Sequence, residues 1–286
     1  MILRTDFIST INGGVFCGAF INTILKFKNR YDTMTRNKKY LAPSVRKAIE
    51  IIDYLTQSDK ECGISKLARE LKVNKSSMFG IAQALCDYNI LEQNPYNKKY
   101  YIGPQMFYFT LKNKKYSNIR RIVRSPMENL CNKINETVLL GVISNLFYIV
   151  ISSIEAKHSI RISIPRWTQL PLYTAPGKIF LSLLPLEEVR TILEENPPPK
   201  YTRQSITDID KYVEIIAEVK QKGYAIDDED YFEGIRSVAI PVQTSRQPLI
   251  LSTVGFSNTM RSEQFMSIVS EMNKTSNKIR YLLSKS

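Results

Sequence analysis

Residues 63–103 read GISKLARELKVNKSSMFGIAQALCDYNILEQNPYNKKYYIG. Ser65 is placed to cap a short helix whose Leu67, Ala68 and Leu71 face inward, and Lys72-Val73 makes a tight turn. Asn74 then caps a second helix. In it Met78, Ile81, Ala82 and Leu85 recur on one face, leaving Lys75, Ser76, Phe79, Gly80 and Gln83 on the other. Ile90-Leu91-Glu92 and Tyr100-Tyr101-Ile102 read as strands, joined by the turn Asn94-Pro95-Tyr96-Asn97-Lys98-Lys99. Upstream, Val45, Ala48, Ile49, Ile52 and Leu55 keep helical spacing over about residues 45–57, with Ser44 as the cap. Helix, turn, helix and ribbon in this order predict a winged helix-turn-helix, whose second helix fits the DNA major groove.

The start of that second helix is small and polar, and a helix N-terminus offers free N–H groups and a positive dipole to phosphate. Asn74, Lys75, Ser76 and Ser77 are therefore candidates for backbone and base contacts, with Gln83 further along the same outer face. The bland alternative is a solvated helix face with an ordinary cap. Phe79 either meets a thymine methyl or packs inward. Lys98 and Lys99 either grip phosphate or keep a hairpin tip soluble.

Charge points the same way. The 286 residues carry a net charge of +13. Residues 34–115 hold 15 Lys/Arg against 7 Asp/Glu, whereas residues 116–286 hold 21 against 18, so the excess sits on the segment expected to meet a polyanion. The four cysteines, Cys17, Cys62, Cys86 and Cys131, form no CxxC, and His158 is the only histidine. That pattern argues against a zinc site and for a reduced, cytoplasmic setting. No cofactor or metal is expected.

From Phe7 to Leu25 there are 19 uncharged residues in a row. The length would admit a membrane span, but Ser9, Thr10, Asn12, Gly13, Gly14, Gly18, Asn22 and Thr23 dilute it, and no membrane partner is expected. Residues 1–40 read as an N-terminal extension, a flexible arm or a start assigned too early, with Met34 an alternative beginning. Residues 41–104 form the expected DNA-binding domain, 105–125 a linker helix, and 126–286 a second domain; Pro126 lies within a helical stretch over about 119–135, near enough its start to mark a break or a fresh first turn.

In that second domain, Thr137–Ser144 and Phe147–Ile154 read as strands, and the alternating Ile160, Ile162 and Ile164 make His158–Pro165 a third. Thr207 starts an amphipathic helix that stops at Gly223. Tyr224–Asp228, Ser237–Val242 and Pro248–Phe256 follow as strands, and a last helix covers about 260–284. Interleaved hairpins and helices make this an α+β domain.

The stretch from about 43 to 284 resembles the IclR family of bacterial and archaeal transcription regulators. The resemblance rests on Ser44-Val45-Arg46-Lys47-Ala48-Ile49, Ser65-Lys66-Leu67-Ala68-Arg69, Asn74-Lys75-Ser76-Ser77 and Tyr100-Tyr101-Ile102-Gly103-Pro104. It continues in Pro171–Lys178, Gly223–Glu229 and Gly234–Val242. It implies a winged helix-turn-helix joined by a helical linker to a GAF-like α+β effector-binding domain, in a homodimer or tetramer that binds a double-stranded DNA operator. Arg46 and Ser65 complete the implied DNA-contacting set. The implied effector is a small molecule, a small organic acid in the first instance. Its pocket is carried over onto Ala175-Pro176-Gly177 at a helix N-terminus, Asp227, Ser237, and Ser252 or Thr253, a one-residue ambiguity that would flip the strand face.

Three departures stand out. Ser237 replaces a frequent cysteine. Pro176 has no N–H to offer a carboxylate. Phe79-Gly80 replaces a polar or basic pair in the recognition helix.

Two other functions compete. The run Asp227-Asp228-Glu229-Asp230 could bind Mg²⁺ or act as a general base, but strand alternation lets at most two of them share a site, and no nucleophile–His pairing accompanies it, so no enzyme is expected. An architectural or RNA-binding winged-helix protein without an effector would need basic or aromatic stripes in the C-terminal half, which is nearly charge-balanced. Trp167 and Tyr173 could stack on a ligand; as aromatics among Ile and Leu they are read first as core.

Overall fold

The computed structural model describes residues 42–58, 61–112, 114–144, 146–244 and 248–286. The extension expected over 1–40, its possible membrane or arm role and the alternative start at Met34 lie outside the described residues. The described chain falls into two compact units, one ending at Ser117 and one beginning at Asn118.

In the first unit, α1 (Pro43–Ser58), α2 (Ile64–Glu70) and α3 (Lys75–Asp87) are followed by β1 (Leu91–Gln93), β2 (Tyr100–Ile102) and α4 (Pro104–Lys112). Ile51, Leu55, Leu67, Met78, Ala82, Leu91 and Tyr100 close into one core. β1 and β2 pair antiparallel, Glu92 opposite Tyr101. Two expected caps move. α1 begins at Pro43, with the Val45 and Arg46 amides bonded to the Ala42 carbonyl, so Ser44 sits inside the first turn. Gly63, not Ser65, caps α2, because the chain is already helical at Ile64. Asn74 caps α3 as expected, its Oδ1 accepting the Ser77 amide at 2.7 Å.

The linker differs from the single helix expected over 105–125. α5 (Lys114–Ile134) follows α4 and runs through Pro126 without ending, so a boundary at 126 falls inside a helix. A proline removes one backbone donor, and the amphipathic pattern around it, with Val123, Met127, Leu130 and Cys131 buried, outweighs that loss.

The second unit is a six-stranded antiparallel sheet in the order β5-β4-β3-β8-β7-β6. Its strands are β3 (Thr137–Ser144), β4 (Phe147–Ile154), β5 (Gln169–Pro171), β6 (Ala225–Asp228), β7 (Ile235–Val242) and β8 (Leu249–Phe256). The segment 158–165 is not a strand. It is a loop whose Ile162 and Ile164 lean on the core, with Thr137 Oγ1 donating to the Ile162 carbonyl at 2.8 Å, and β5 comes later at Gln169. Its alternation reflects one side of a loop lying on apolar side chains rather than strand pairing.

Helices α6 (Ala175–Ser182), α7 (Leu186–Glu195) and α8 (Ile209–Lys222) cover one face, burying Leu139, Ala225, Ala239, Ile250 and Val254 beneath them. The residues between these, such as Val238, Ile240 and Leu251, are equally buried on the opposite face, where α9 (Phe265–Ser284) packs against β7. Both faces being covered, β3 and β8 are buried at every position but the last. α8 starts at Ile209, capped by Asp208, rather than at Thr207, and Gly223 ends it at φ 74°.

α6 lies so close to the chain before it that a Cβ on Gly177 would stand 1.8 Å from the Leu172 carbonyl oxygen. Backbone must then move, so Gly177→Ala is expected to destabilise the protein by roughly 1–3 kcal/mol. Thermal unfolding of the variant checks it.

Candidate functional site

Two surfaces carry the candidate residues, one in each unit. In the first unit the start of α3 presents Asn74, Lys75, Ser76, Ser77 and Phe79, with Gln83 further along, all exposed, while Met78, Ala82 and Leu85 are buried. Asn74 Oδ1 is committed to the cap, accepting also from Ser76 Oγ at 3.0 Å, and Gln83 bonds Asp87 at 3.1 Å. Phe79 is 52% exposed and so does not pack inward. Arg46 bonds Glu50 at 2.8 Å, and Ser65 stands exposed in the first turn of α2.

The wing is tied down by its own side chains. Asn94 Oδ1 accepts the Tyr96 and Asn97 amides at 3.0 and 3.3 Å. The Asn94 and Asn97 amide groups both donate to the Glu61 carboxylate, at 2.8 and 2.6 Å. Those donors hold the Glu61 carboxyl below the usual carboxylate range. Lys98 takes φ 59°, and Lys98 and Lys99 stay exposed on either side of a left-handed turn. Sequence reading had no signal for Glu61, which lies 33 residues before Asn94. The residues at the wing are held, and those free to reach outward are Tyr96, Lys98 and Lys99.

In the second unit the register decides which residues share a face. Asp227 pairs with Ser237, and Ala239 with Ser252, so Asp227, Ser237 and Ser252 lie on the face under α6. Thr253 pairs with Val238 and points to the other side, where its hydroxyl donates to the Thr137 carbonyl at 3.0 Å. Of the two, Ser252 is the one that shares a face with Asp227 and Ser237. Ala175, Pro176 and Gly177 form the first turn of α6 over the same face, behind the cap residue Thr174.

Lys178, one residue further along, is buried, and its ammonium donates to the Ile226 carbonyl at 2.9 Å and to the Asp230 carboxylate. A lone lysine within an apolar run such as Pro171–Leu184 is the signal that could have marked it. Asp227 Oδ1 accepts the Asp230 amide at 2.9 Å and the Tyr231 amide at 3.3 Å. Burial pushes the Asp227 carboxyl up to about 6; Lys178 opposes the rise and Asp230 adds to it. The rest of the acidic run disperses: Asp228 pairs with Arg236, and Glu229 accepts the Gly234 amide at 2.7 Å. Among the described residues no group of three or more His, Cys, Asp or Glu side chains could hold a metal ion.

Two hydroxyls near this face stand out. Ser252 Oγ and the Tyr212 hydroxyl are buried without a hydrogen-bond partner in the protein. Each such group costs about 1–3 kcal/mol. Tyr212 was hidden in the apolar stripe of α8. Tyr173 sets its ring edge-on to Tyr212 at 6.1 Å and donates its hydroxyl to the Asn196 carbonyl at 2.6 Å. Trp167 is half exposed at φ 71°, with the Arg120 guanidinium 5.8 Å over its ring, and so is not a core residue.

A winged helix-turn-helix followed by a sheet that sets Asp227, Ser237 and Ser252 in an apolar face under a helix is the architecture of a DNA-binding regulator with a ligand-binding domain. Residues 44–95 match the IclR helix-turn-helix domain, and residues 112–281 match the C-terminal domain of the bacterial transcriptional regulator IclR. The chain belongs to the IclR family of transcription regulators. It is 26% identical over 200 residues to the transcriptional regulator KdgR of Escherichia coli, covering 70% of this chain and 76% of that one. It is 25% identical over 203 residues to XynR of the same organism, covering 70% and 79%.

An IclR regulator from Alicyclobacillus acidocaldarius has the same fold, with a TM-score of 0.69 at 24% identity over 85% of this chain and 99% of that one. An IclR homologue from Microbacterium hydrocarbonoxydans, complexed with 4-hydroxybenzoate, matches with a TM-score of 0.69 at 16% identity over 85% and 100%. Among the described residues no helix is long and apolar enough to cross a membrane.

Asp227 yields a pH prediction. Its folded value of about 6 stands above its ordinary 3.8, so the folded state holds this proton more tightly. The stability it contributes is full below about pH 4 and is lost as pH rises through 6; two units correspond to about 3 kcal/mol. Asp227→Asn keeps an acceptor for the two amides and removes the charge. It is expected to flatten the dependence of unfolding free energy on pH between 4 and 7, measured by denaturant titration. For the wing, Glu61→Ala is expected to raise amide hydrogen exchange at residues 94–99 severalfold while leaving α3 protected.

Proposed function

We propose that this chain is a homodimeric or tetrameric operator-binding regulator. A small organic acid docks between the first turn of α6 and the face formed by Asp227, Ser237 and Ser252. The protein acts in the cytoplasm, turns over no substrate and needs no cofactor. The observation that carries the DNA-reading half is the outer face of α3. It is capped by Asn74, exposes an aromatic at Phe79, and has Lys75 at the first helical position, where the helix dipole already favours phosphate. Lys98 and Lys99 add phosphate contacts from a wing that Glu61 holds in shape.

The effector half is supported by the Ser252 hydroxyl, 1% exposed, on the α6 face. The Microbacterium homologue, whose ligand 4-hydroxybenzoate carries a carboxylate, makes that acid a reasonable first probe. The response is linkage: an effector that binds one arrangement of paired DNA-binding domains better shifts the population able to grip two half-sites.

Footprinting of genomic DNA with the full chain at two salt concentrations tests the reading. Discrete sites with dyad symmetry that weaken steeply with salt are expected; diffuse protection without preferred sites would sink it. On a site so found, Lys75→Ala and Lys98→Ala should each lower the slope of log affinity against log salt by about 1. Phe79→Ala should instead change which bases are preferred.

A further inference from the structure

The second unit has a cleft away from the α6 face. It lies between α5 and α9, the helix that packs on the other side of the sheet, and encloses about 390 Å³. Each wall is one stripe of a helix. On α5 it is Pro126, Asn129, Leu130 and Lys133; on α9 it is Glu271, Lys274 and Lys278. Pro126 and Leu130 are buried and form the floor, while Asn129 and the three lysines are exposed around it.

One carboxylate arranges the cations. Lys133 crosses from α5 to one Glu271 oxygen at 2.9 Å, and Lys274 takes the other at 2.5 Å. Lys274 and Lys133 hold the Glu271 carboxyl down at about 2, so it stays charged and keeps the two ammoniums side by side. Lys278 is in no ion pair among the described residues. Three ammoniums against one carboxylate leave two positive charges in one cleft.

Helix stability does not account for this arrangement. The dipole favours Lys133, in the last turn of α5, but gives nothing to Lys274 and Lys278 in the interior of α9. Like charges four residues apart on a helix repel. An ammonium has three N–H donors, and Lys133 and Lys274 each spend one on Glu271, so donors remain for a ligand.

The matching ligand carries close to two negative charges and several acceptor oxygens on one centre. A phosphate monoester does so near neutral pH. A carboxylate brings one charge and leaves the other unanswered. Lysines act as point charges and suit a tetrahedral head, where a planar carboxylate would favour arginine. The volume falls in the range of small-molecule sites, and a bare phosphate would leave most of it unfilled. We propose that the α5–α9 cleft binds a small organic phosphate monoester, its head on Lys133, Lys274 and Lys278 and its organic part over Pro126 and Leu130, beside Asn129. This site is separate from the α6 face and does not depend on the effector reading.

The test is calorimetric titration of the full chain with ribose 5-phosphate, inorganic phosphate and ribose at one fixed ionic strength. Ribose 5-phosphate is expected to saturate one site per chain and to bind several times more tightly than inorganic phosphate, and ribose is expected not to bind. Lys278→Gln should weaken ribose 5-phosphate about tenfold, the size of one lost charged hydrogen bond. Lys211→Gln, an exposed lysine on α8 whose loss changes net charge equally, should leave it unchanged. Lys278 is exposed and has no partner to lose, so its variant should fold and melt like the parent.

The absence of saturable binding by ribose 5-phosphate overturns the proposal. Equal weakening by Lys278→Gln and Lys211→Gln does so too, since it would mean diffuse attraction to a basic protein. Inorganic phosphate binding as tightly as the ester would show that the floor holds no organic part, and would equally sink it.

Discussion

A single buried ammonium organises the ligand-binding unit. α6 is buried along its whole length, and Lys178 is one of its residues. A charge in such surroundings persists only with close partners. Lys178 takes the Ile226 carbonyl and the Asp230 carboxylate, and so ties the edge strand β6 and the loop after it to the helix above. Losing one partner of a buried ion pair costs about 3–5 kcal/mol, so the arrangement resists local opening. Asp227 stands between the two tethered residues, and its place on the face follows from them. The residue that fixes the site's geometry is thus not one of those left to meet a ligand.

The sheet imposes the second constraint. With α6, α7 and α8 on one face and α9 on the other, each strand must send alternate side chains into two different cores. A polar residue in a central strand then belongs to one side without compromise. Ser252 goes to the α6 face, while Thr253 goes to the other and answers its own need through the Thr137 carbonyl. Ser237 falls in line with Ser252 by way of Ala239, and Asp227 by direct pairing. Gly141 serves the same packing at the middle of the sheet, where a Cβ would meet the Tyr148 ring at 2.5 Å and displace the phenol from its position near Ser252.

Legibility in the sequence followed the range of the interactions. α3 and its Asn74 cap, the paired strands β3 and β4, and the Gly223 stop of α8 could all be read, because each depends on residues a few positions apart. What misled was local pattern with a distant cause. Ile160, Ile162 and Ile164 alternate as in a strand, yet the last two press a loop onto the core. Pro126, inside the helix expected over about 119–135, reads as a break or a fresh first turn, yet tertiary burial of Val123, Met127 and Leu130 carries one helix across it from Lys114. Ser44 and Ser65 look like caps but lie one or two positions inside helices that start earlier. That Asp227, Ser237 and Ser252, but not Thr253, share one face needed the strand register. Lys178 and Glu61 acquire their roles from partners 33 to 52 residues away, which no short-range pattern reveals.

The two functional surfaces differ in how their polar groups are satisfied, and that difference matches what each must do. At the wing and the cap of α3, Asn74, Asn94 and Asn97 use their side chains on neighbouring backbone, on Ser76 or on Glu61, and little freedom remains. A surface that reads DNA gains from such rigidity, since less ordering is left to be done on binding. On the α6 face the opposite holds. A carboxyl is pushed up to about 6 by burial, and two hydroxyls lie buried without partners in the protein. Each of these destabilises the free protein, and packing does not require any of them, since Asn, Ala and Phe would fit with less penalty. Unfavourable groups gathered on one face are candidates for positions kept for something other than stability. A ligand that satisfies them changes the free energy of this unit by more than its own contacts alone, which is what an effector must do to move an equilibrium elsewhere in the molecule.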